Sequence, residues 1–168
     1  MRSIPRFLAV TLTLLCCVGC DQVSKSAARA FLASGTTESF LADSLRLQLV
    51  ENPGSFLSLG AALPQHLRFA LFTGAVAALL IGLVCASLFV RRLGPWRFIA
   101  LALMAGGGFG NLIDRLMNDG RVTDFLNVGI GPVRTGIFNV ADMAILGGAL
   151  LLVLKRGPAN PALSPPIA

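Results

Sequence analysis

Two carboxylates raise the question of chemistry first. Asp142 lies in "FNVADMAIL", three residues after Asn139, at the head of an apolar run. Asn139 suits a helix N-cap there, and the helix dipole favours a carboxylate in the first turn. A carboxylate held partly desolvated at a membrane boundary is also a candidate acid or base. Upstream, "GRVTDFLNV" supplies Asp124, which alone would read as a solvated loop carboxylate. Together they offer a reaction. Two carboxyls sharing one site do not both ionise easily, so one keeps its proton while the other takes a proton from water. Peptide hydrolysis would then need neither a metal nor a covalent intermediate. Sequence spacing does not by itself bring Asp124 and Asp142 together.

Further polar residues stand where a membrane would not tolerate them cheaply. "GGGFGNLIDRL" places Asn111 and Arg115 four apart on one helical face, with Asp114 three from Asn111. Such a cluster is either a helix end reaching for water or part of a site. Asp21 and Lys25 are four apart and share a face if the helix continues past Cys20. Other chemistries find little support. His66 is the single histidine, and there is no HExxH or Cys/His cluster, so no metal and no cofactor are expected. GxSxG, a P-loop and tyrosine are all absent, and "GGGFGN" falls inside an apolar run.

The elements that must carry these residues are membrane spans. A chain of 168 residues that is 55% apolar and 13% charged, with a mean hydropathy of +0.76, is too apolar for a soluble domain of this length. Spans are expected at about 5–25, 68–90, 97–115 and 138–155, the clearest being the uncharged run Phe69 to Val90. Arg2/Arg6, Arg91/Arg92/Arg97 and Lys155/Arg156 form short basic clusters, assigned to the cytoplasm with both termini. All eight acidic residues fall on the opposite face, which makes the net charge of +6 a matter of topology rather than of nucleic-acid binding. In "LRLQLVENPG", Leu45, Leu47 and Leu49 alternate with polar residues before a Pro-Gly turn, the period of a half-buried strand. A small sheet is therefore expected over about 37–62, on the outer mouth of one helical unit spanning 1–156, with a disordered cytoplasmic tail at 157–168. The cysteines Cys16, Cys17, Cys20 and Cys85 sit in apolar runs and read as free thiols.

"MRSIPR" followed by an apolar run also fits a signal peptide, and "CVGC" resembles a lipobox ending at Cys20. On this segment alone a cleaved and an uncleaved first helix are both open.

Five segments in order, "DQVSK" at 21–25, "NPGSF" at 52–56, "GNLIDR" at 110–115, "VTDF" at 122–125 and "FNVADMAI" at 138–145, resemble those of the bacterial lipoprotein signal peptidases, the signal peptidase II family. The resemblance spans nearly the whole chain. It implies an all-α membrane protein with four transmembrane helices, a small periplasmic β-cradle and a short outer helix. It implies an aspartyl endopeptidase with Asp124 and Asp142 as the catalytic pair. Asp21, Lys25, Asn52, Gly54, Asn111, Arg115, Asn139 and Ala141 are then the residues that line or support the substrate site. The substrates implied are prolipoproteins whose lipobox Cys bears a diacylglyceryl group, cleaved just before that Cys on the periplasmic side of the cytoplasmic (inner) membrane. Membrane lipids and globomycin-like peptide inhibitors are the other expected partners, nucleic acid is not, and a monomer is expected. On this reading the first helix stays uncleaved and "CVGC" is coincidental. Two rivals are a small transporter or proton-conducting protein using Asp21, Lys25, Asp114, Arg115 and Asp142 as a polar pathway, and a lipoprotein anchored through Cys20.

Overall fold

In the computed structural model, the described residues are 5–33, 35–53, 63–90 and 93–155. Gly54 and the tail at 157–168 lie outside them, as do Arg2, Arg91, Arg92, Arg156 and the end of the expected 37–62 cradle. The elements are α1 (Arg6–Phe31), β1 (Glu38–Phe40), β2 (Leu45–Asn52), α2 (Gln65–Phe89), α3 (Pro95–Met117), β3 (Val122–Ile130), β4 (Val133–Arg134) and α4 (Val140–Leu154). No further short helix occurs among the described residues.

α3 is the hub and packs against α1, α2 and α4. Its buried face is built of small residues, Ala100, Ala102, Ala105, Gly106, Gly107, Gly108 and Gly110, which let neighbouring backbones approach closely. At Gly107 a neighbouring backbone comes nearest: a Cβ there would strike the carbonyl oxygen of Ala141 on α4. A Cβ on Gly110 would stand 2.5 Å from a carboxylate oxygen of Asp21 on α1. Leucines such as Leu12, Leu15, Leu79, Leu146 and Leu150 face outward, while the least accessible large side chains include Lys25, Asn139, Asp21 and Asp114. This inside-out polarity is what a hydrocarbon surround selects.

α1, Phe69–Phe89 of α2 and α3 are long and apolar enough to cross a membrane. α4 is apolar but has 15 residues. Of the 138–155 expected for that span, Phe138 is held in a bridge to Leu126 and Asn139 is the N-cap, so the helix starts only at Val140. α1 instead runs beyond the expected residue 25 to Phe31, unbroken through Gly19, Cys20 and Asp21. The cysteines are free thiols, as expected.

The four strands form one antiparallel sheet in the order β1-β2-β3-β4. β2 occupies the segment whose alternation reads as a strand. β3 and β4 extend the sheet with residues from the second connection, outside the expected 37–62. β3 was missed because Val122 to Phe125 are all buried, so no alternation of apolar and polar residues marks them. α3 hands the chain to β3 through a Schellman-type ending: Asp119 takes a left-handed φ of 52°, and the Gly120 amide donates to the Arg115 carbonyl at 2.8 Å.

At the end of the bundle away from the sheet, Arg6 donates to the Val90 carbonyl at 3.0 Å and stacks over Phe98, while Lys155 lies over Trp96. Cationic and aromatic residues of this kind anchor helix ends at a membrane interface.

Candidate active site

The bridge between Leu126 and Phe138 provides the step that spacing could not. The Phe125 and Leu126 amides both donate to the Phe138 carbonyl, at 3.0 and 2.8 Å, and the Phe138 amide donates to the Leu126 carbonyl at 2.8 Å. β3 is thereby stitched to the residue that precedes the cap of α4, which carries Asp124 to the head of the helix bearing Asp142.

Asn139 joins them. Its side-chain oxygen accepts from the Asp142 amide at 3.0 Å and its own amide donates to Asp142 Oδ2 at 3.1 Å, a reciprocal capping box. The Asn139 Nδ2 group then faces Asp124 Oδ1 at 2.6 Å, Asn111 Oδ1 at 3.0 Å and the Thr123 carbonyl at 3.3 Å, so two hydrogens serve three acceptors. The second oxygen of Asp124 accepts from Asn52 Nδ2 of β2 at 2.9 Å, and Asp142 Oδ1 accepts from Asn111 Nδ2 of α3 at 2.9 Å. Two carboxyls from different elements are thus held by three asparagines. Burial raises the pKa of Asp124 to about 6; the Asn52 hydrogen bond works against this, and the neighbouring charge of Asp142 adds to the rise.

A second polar layer lies behind this one. The Lys25 ammonium donates to Asp21 Oδ2 at 2.8 Å, Asp114 Oδ2 at 2.9 Å and Asn111 Oδ1 at 2.9 Å, which uses all three of its hydrogens. Asp21 Oδ1 accepts from the Ala141 amide at 2.9 Å, so Ala141 contributes its backbone rather than its side chain. Lys25 fixes Asn111, and Asn111 reaches both Asn139 and Asp142. Arg115 donates to the Asn111 carbonyl at 3.2 Å and is close enough to Asp142, Asp124 and Asp114 to feel their charge.

The structure therefore gathers Asp124, Asp142, Asn52, Asn111 and Asn139, with Asp21, Lys25, Ala141 and Arg115 adjoining. Sequence reasoning left Gln22, Arg29, Glu51 and Thr123 out of the site, and gave Asp114 no place among its supporting residues. Gln22 Nε2 bridges Asp21 and Asp114 at 3.2 and 3.1 Å. Arg29 extends the Asp21, Lys25 stripe of α1 by one more turn, a signal available from spacing alone. No group of three or more metal-ligating side chains occurs among the described residues.

Residues 13–156 match the sequence profile of the family described as signal peptidase (SPase) II. The chain belongs to the signal peptidase II family. A lipoprotein signal peptidase of Mycobacterium tuberculosis (strain ATCC 25618 / H37Rv) is 33% identical over 161 residues, which cover 92% of this chain and 70% of that protein. A lipoprotein signal peptidase of Rhodococcus jostii (strain RHA1) is 35% identical over 139 residues, covering 80% of this chain and 65% of that one. Among solved structures, a bacterial membrane enzyme determined by the in meso method at 1.9 Å resolution is similar, with a TM-score of 0.74 and 25% identity over 86% of this chain and 90% of that chain. As a signal peptidase II, the chain is an aspartic-type endopeptidase of a multi-pass membrane family that removes signal peptides from prolipoproteins. The charges fit an enzyme better than a conduit, since Asp21, Lys25, Asp114 and Asp142 gather toward the sheet end of their helices instead of running along the whole bundle.

Proposed function

We propose that this chain cleaves diacylglyceryl-modified prolipoproteins just before the lipidated Cys of the lipobox, with Asp124 and Asp142 acting as a general acid/base pair on water. The observation that carries the proposal is the joint hold of Asn139 on both carboxyls. Asp124, with its pKa near 6, carries the shared proton. Asp142 takes a proton from the attacking water, and Asp124 passes its own to the scissile amide as the tetrahedral intermediate forms and collapses. Asn52, Asn111 and Asn139 fix the carboxyl orientations, and Asp21, Lys25, Arg115 and Ala141 support them. Holding amide, water and carboxyls in one geometry supplies much of the acceleration.

The four helices are read as four spans forming one unit with the sheet, with both termini in the cytoplasm and the sheet and site on the periplasmic side of the cytoplasmic membrane. The basic end of the bundle at Arg6 and Lys155 and the acidic site end support that orientation. The lipid on the substrate keeps the cleaved bond at the membrane boundary, where the site lies. Membrane lipids surround the bundle, globomycin-like peptides are expected to compete for the site, and the working unit is read as a monomer. α1 is read as retained, because cutting before Cys20 would remove Leu14 and Cys17, which pack on Gly106.

The test is a gel-shift assay of purified protein in lipid with a diacylglyceryl-modified prolipoprotein. Loss of the signal peptide with wild type, unaffected by chelator and abolished by Asp124→Asn and by Asp142→Asn, is the expected result. Turnover at wild-type rate in either variant removes the pair.

A further inference from the structure

Thr123, next to Asp124, is completely buried and every polar atom it has is engaged by a different element. Its hydroxyl accepts from Arg29 Nη2 of α1 at 2.6 Å and donates to Glu51 Oε1 of β2 at 3.0 Å. Its amide donates to Asp114 Oδ2 of α3 at 3.0 Å, and its carbonyl accepts from Asn139, the cap of α4, at 3.3 Å. Arg29 also approaches Asp114 at 3.6 Å and Glu51 at 4.0 Å, which closes a ring around Thr123.

We infer that Arg29, Thr123 and Glu51 form a clamp that positions Asp124 for the reaction by fixing the rotation of β3. Successive side chains of a strand point to opposite faces, so a hold on Thr123 sets the direction in which its neighbour aims. β2 pairs with β3 irregularly between Leu47 and Val50, and the regular ladder next to Asp124 comprises Val50, Glu51 and Asn52. The clamp pins this short stretch of ladder from the side opposite Asp124. A displacement of about 1 Å at a reacting group can cost on the order of 100-fold in rate. The three side chains act through Asp124 and touch neither water nor amide, so they are positioning residues.

The inference rests on Asp124 being a reacting carboxyl, and the experiment separates the two. Steady-state cleavage of the diacylglyceryl-modified prolipoprotein would be measured for wild type, Asp124→Asn, Thr123→Val, Thr123→Ser and Arg29→Gln, with thermal unfolding of each in the same lipid. Thr123→Val keeps the shape of the buried side chain and removes the hydroxyl. The expected result is a kcat about 10-fold to 100-fold lower with KM unchanged, kcat restored by Thr123→Ser, and a fall in the same direction for Arg29→Gln. Wild-type kcat in Thr123→Val beside an inactive Asp124→Asn overturns the clamp and leaves the proposed function intact. Full activity in Asp124→Asn overturns both. If Thr123→Val does not fold, Arg29→Gln decides, since its side chain is partly exposed: a lowered kcat at constant KM upholds the clamp, and unchanged kinetics overturn it.

Discussion

The surroundings of Asp124 oppose its charge, and this has two measurable consequences. Its pKa is about 6 in the folded protein against an ordinary aspartate value of 3.8. Between those values the folded chain binds more protons than the unfolded one, so the contribution of this group to stability falls as pH rises through the window. Thermal unfolding at pH 7 should therefore occur at higher temperature in Asp124→Asn than in wild type, with the difference vanishing below about pH 4. The same proton is the one proposed for catalysis, so kcat/KM for the free enzyme should decline on the alkaline side with a midpoint near pH 6. A decline centred on the ordinary carboxylate range would remove the acid role of Asp124. Lys25 is the opposite case, a buried cation whose three hydrogens all go to protein oxygens. Lys25→Met leaves Asp21 and Asp114 buried without their cation and should cost about 3–5 kcal/mol, read from unfolding in detergent. The Asp21 partner was legible from the four-residue spacing on one helix. Asp114 was not, because its contact crosses from α3 to α1 and no local period encodes it.

α3 and α4 show how far a single backbone approach governs the site. Gly107→Ala would place a methyl group against the Ala141 carbonyl and within 2.9 Å of Ile145. Ala141 precedes Asp142, so the shift needed to admit the methyl moves the carboxylate as well. A loss of about 1–3 kcal/mol in stability and a fall in cleavage rate are expected. Gly19→Ala is the control, since nothing lies within 4 Å of a Cβ there: its rate should match wild type and its stability should hold or rise by up to about 1 kcal/mol. The glycine run was visible in the sequence as a packing device, but which glycine meets which helix depends on crossing geometry. The cap of α4 was legible from Asn139 and Asp142 alone, because a capping box is a four-residue local pattern. The pairing of Leu126 with Phe138 was not, and without it the distance between Asp124 and Asp142 is undefined.

The whole molecule combines helices of unequal reach. At 1.5 Å per residue, α1 with 26 residues spans about 39 Å and α4 with 15 residues about 22 Å, against a hydrocarbon core of roughly 30 Å. On the proposed four-span orientation, with its C-terminal end beside Trp96, α4 starts short of the far boundary and Asp142 sits below the ends of its neighbours. On that reading the lipid around α4 thins, or water enters at the site, and a thinner bilayer lowers that cost. Cleavage in vesicles of graded acyl length should be faster in the thinner bilayers; a rate that rises with thickness would contradict this. The helix order and the basic end were legible from hydropathy and charge, but the shortness of α4 depends on where the β3 bridge stops it. The Asp21–Lys25 pair also bears on how such a molecule is made. Synthesis runs from the N-terminus, so α1 reaches the membrane before α3 exists. A lysine in a spanning helix costs up to about 2.5–3.5 kcal/mol on insertion scales when it stands at the helix centre, and less towards the end where Lys25 lies. Because Asp21 stands one turn from Lys25 on the same helix, α1 carries its counter-ion with it into the bilayer. Asp114, arriving later on α3, meets an ammonium already neutralised and completes its coordination, so the nascent chain never has to hold that cation bare.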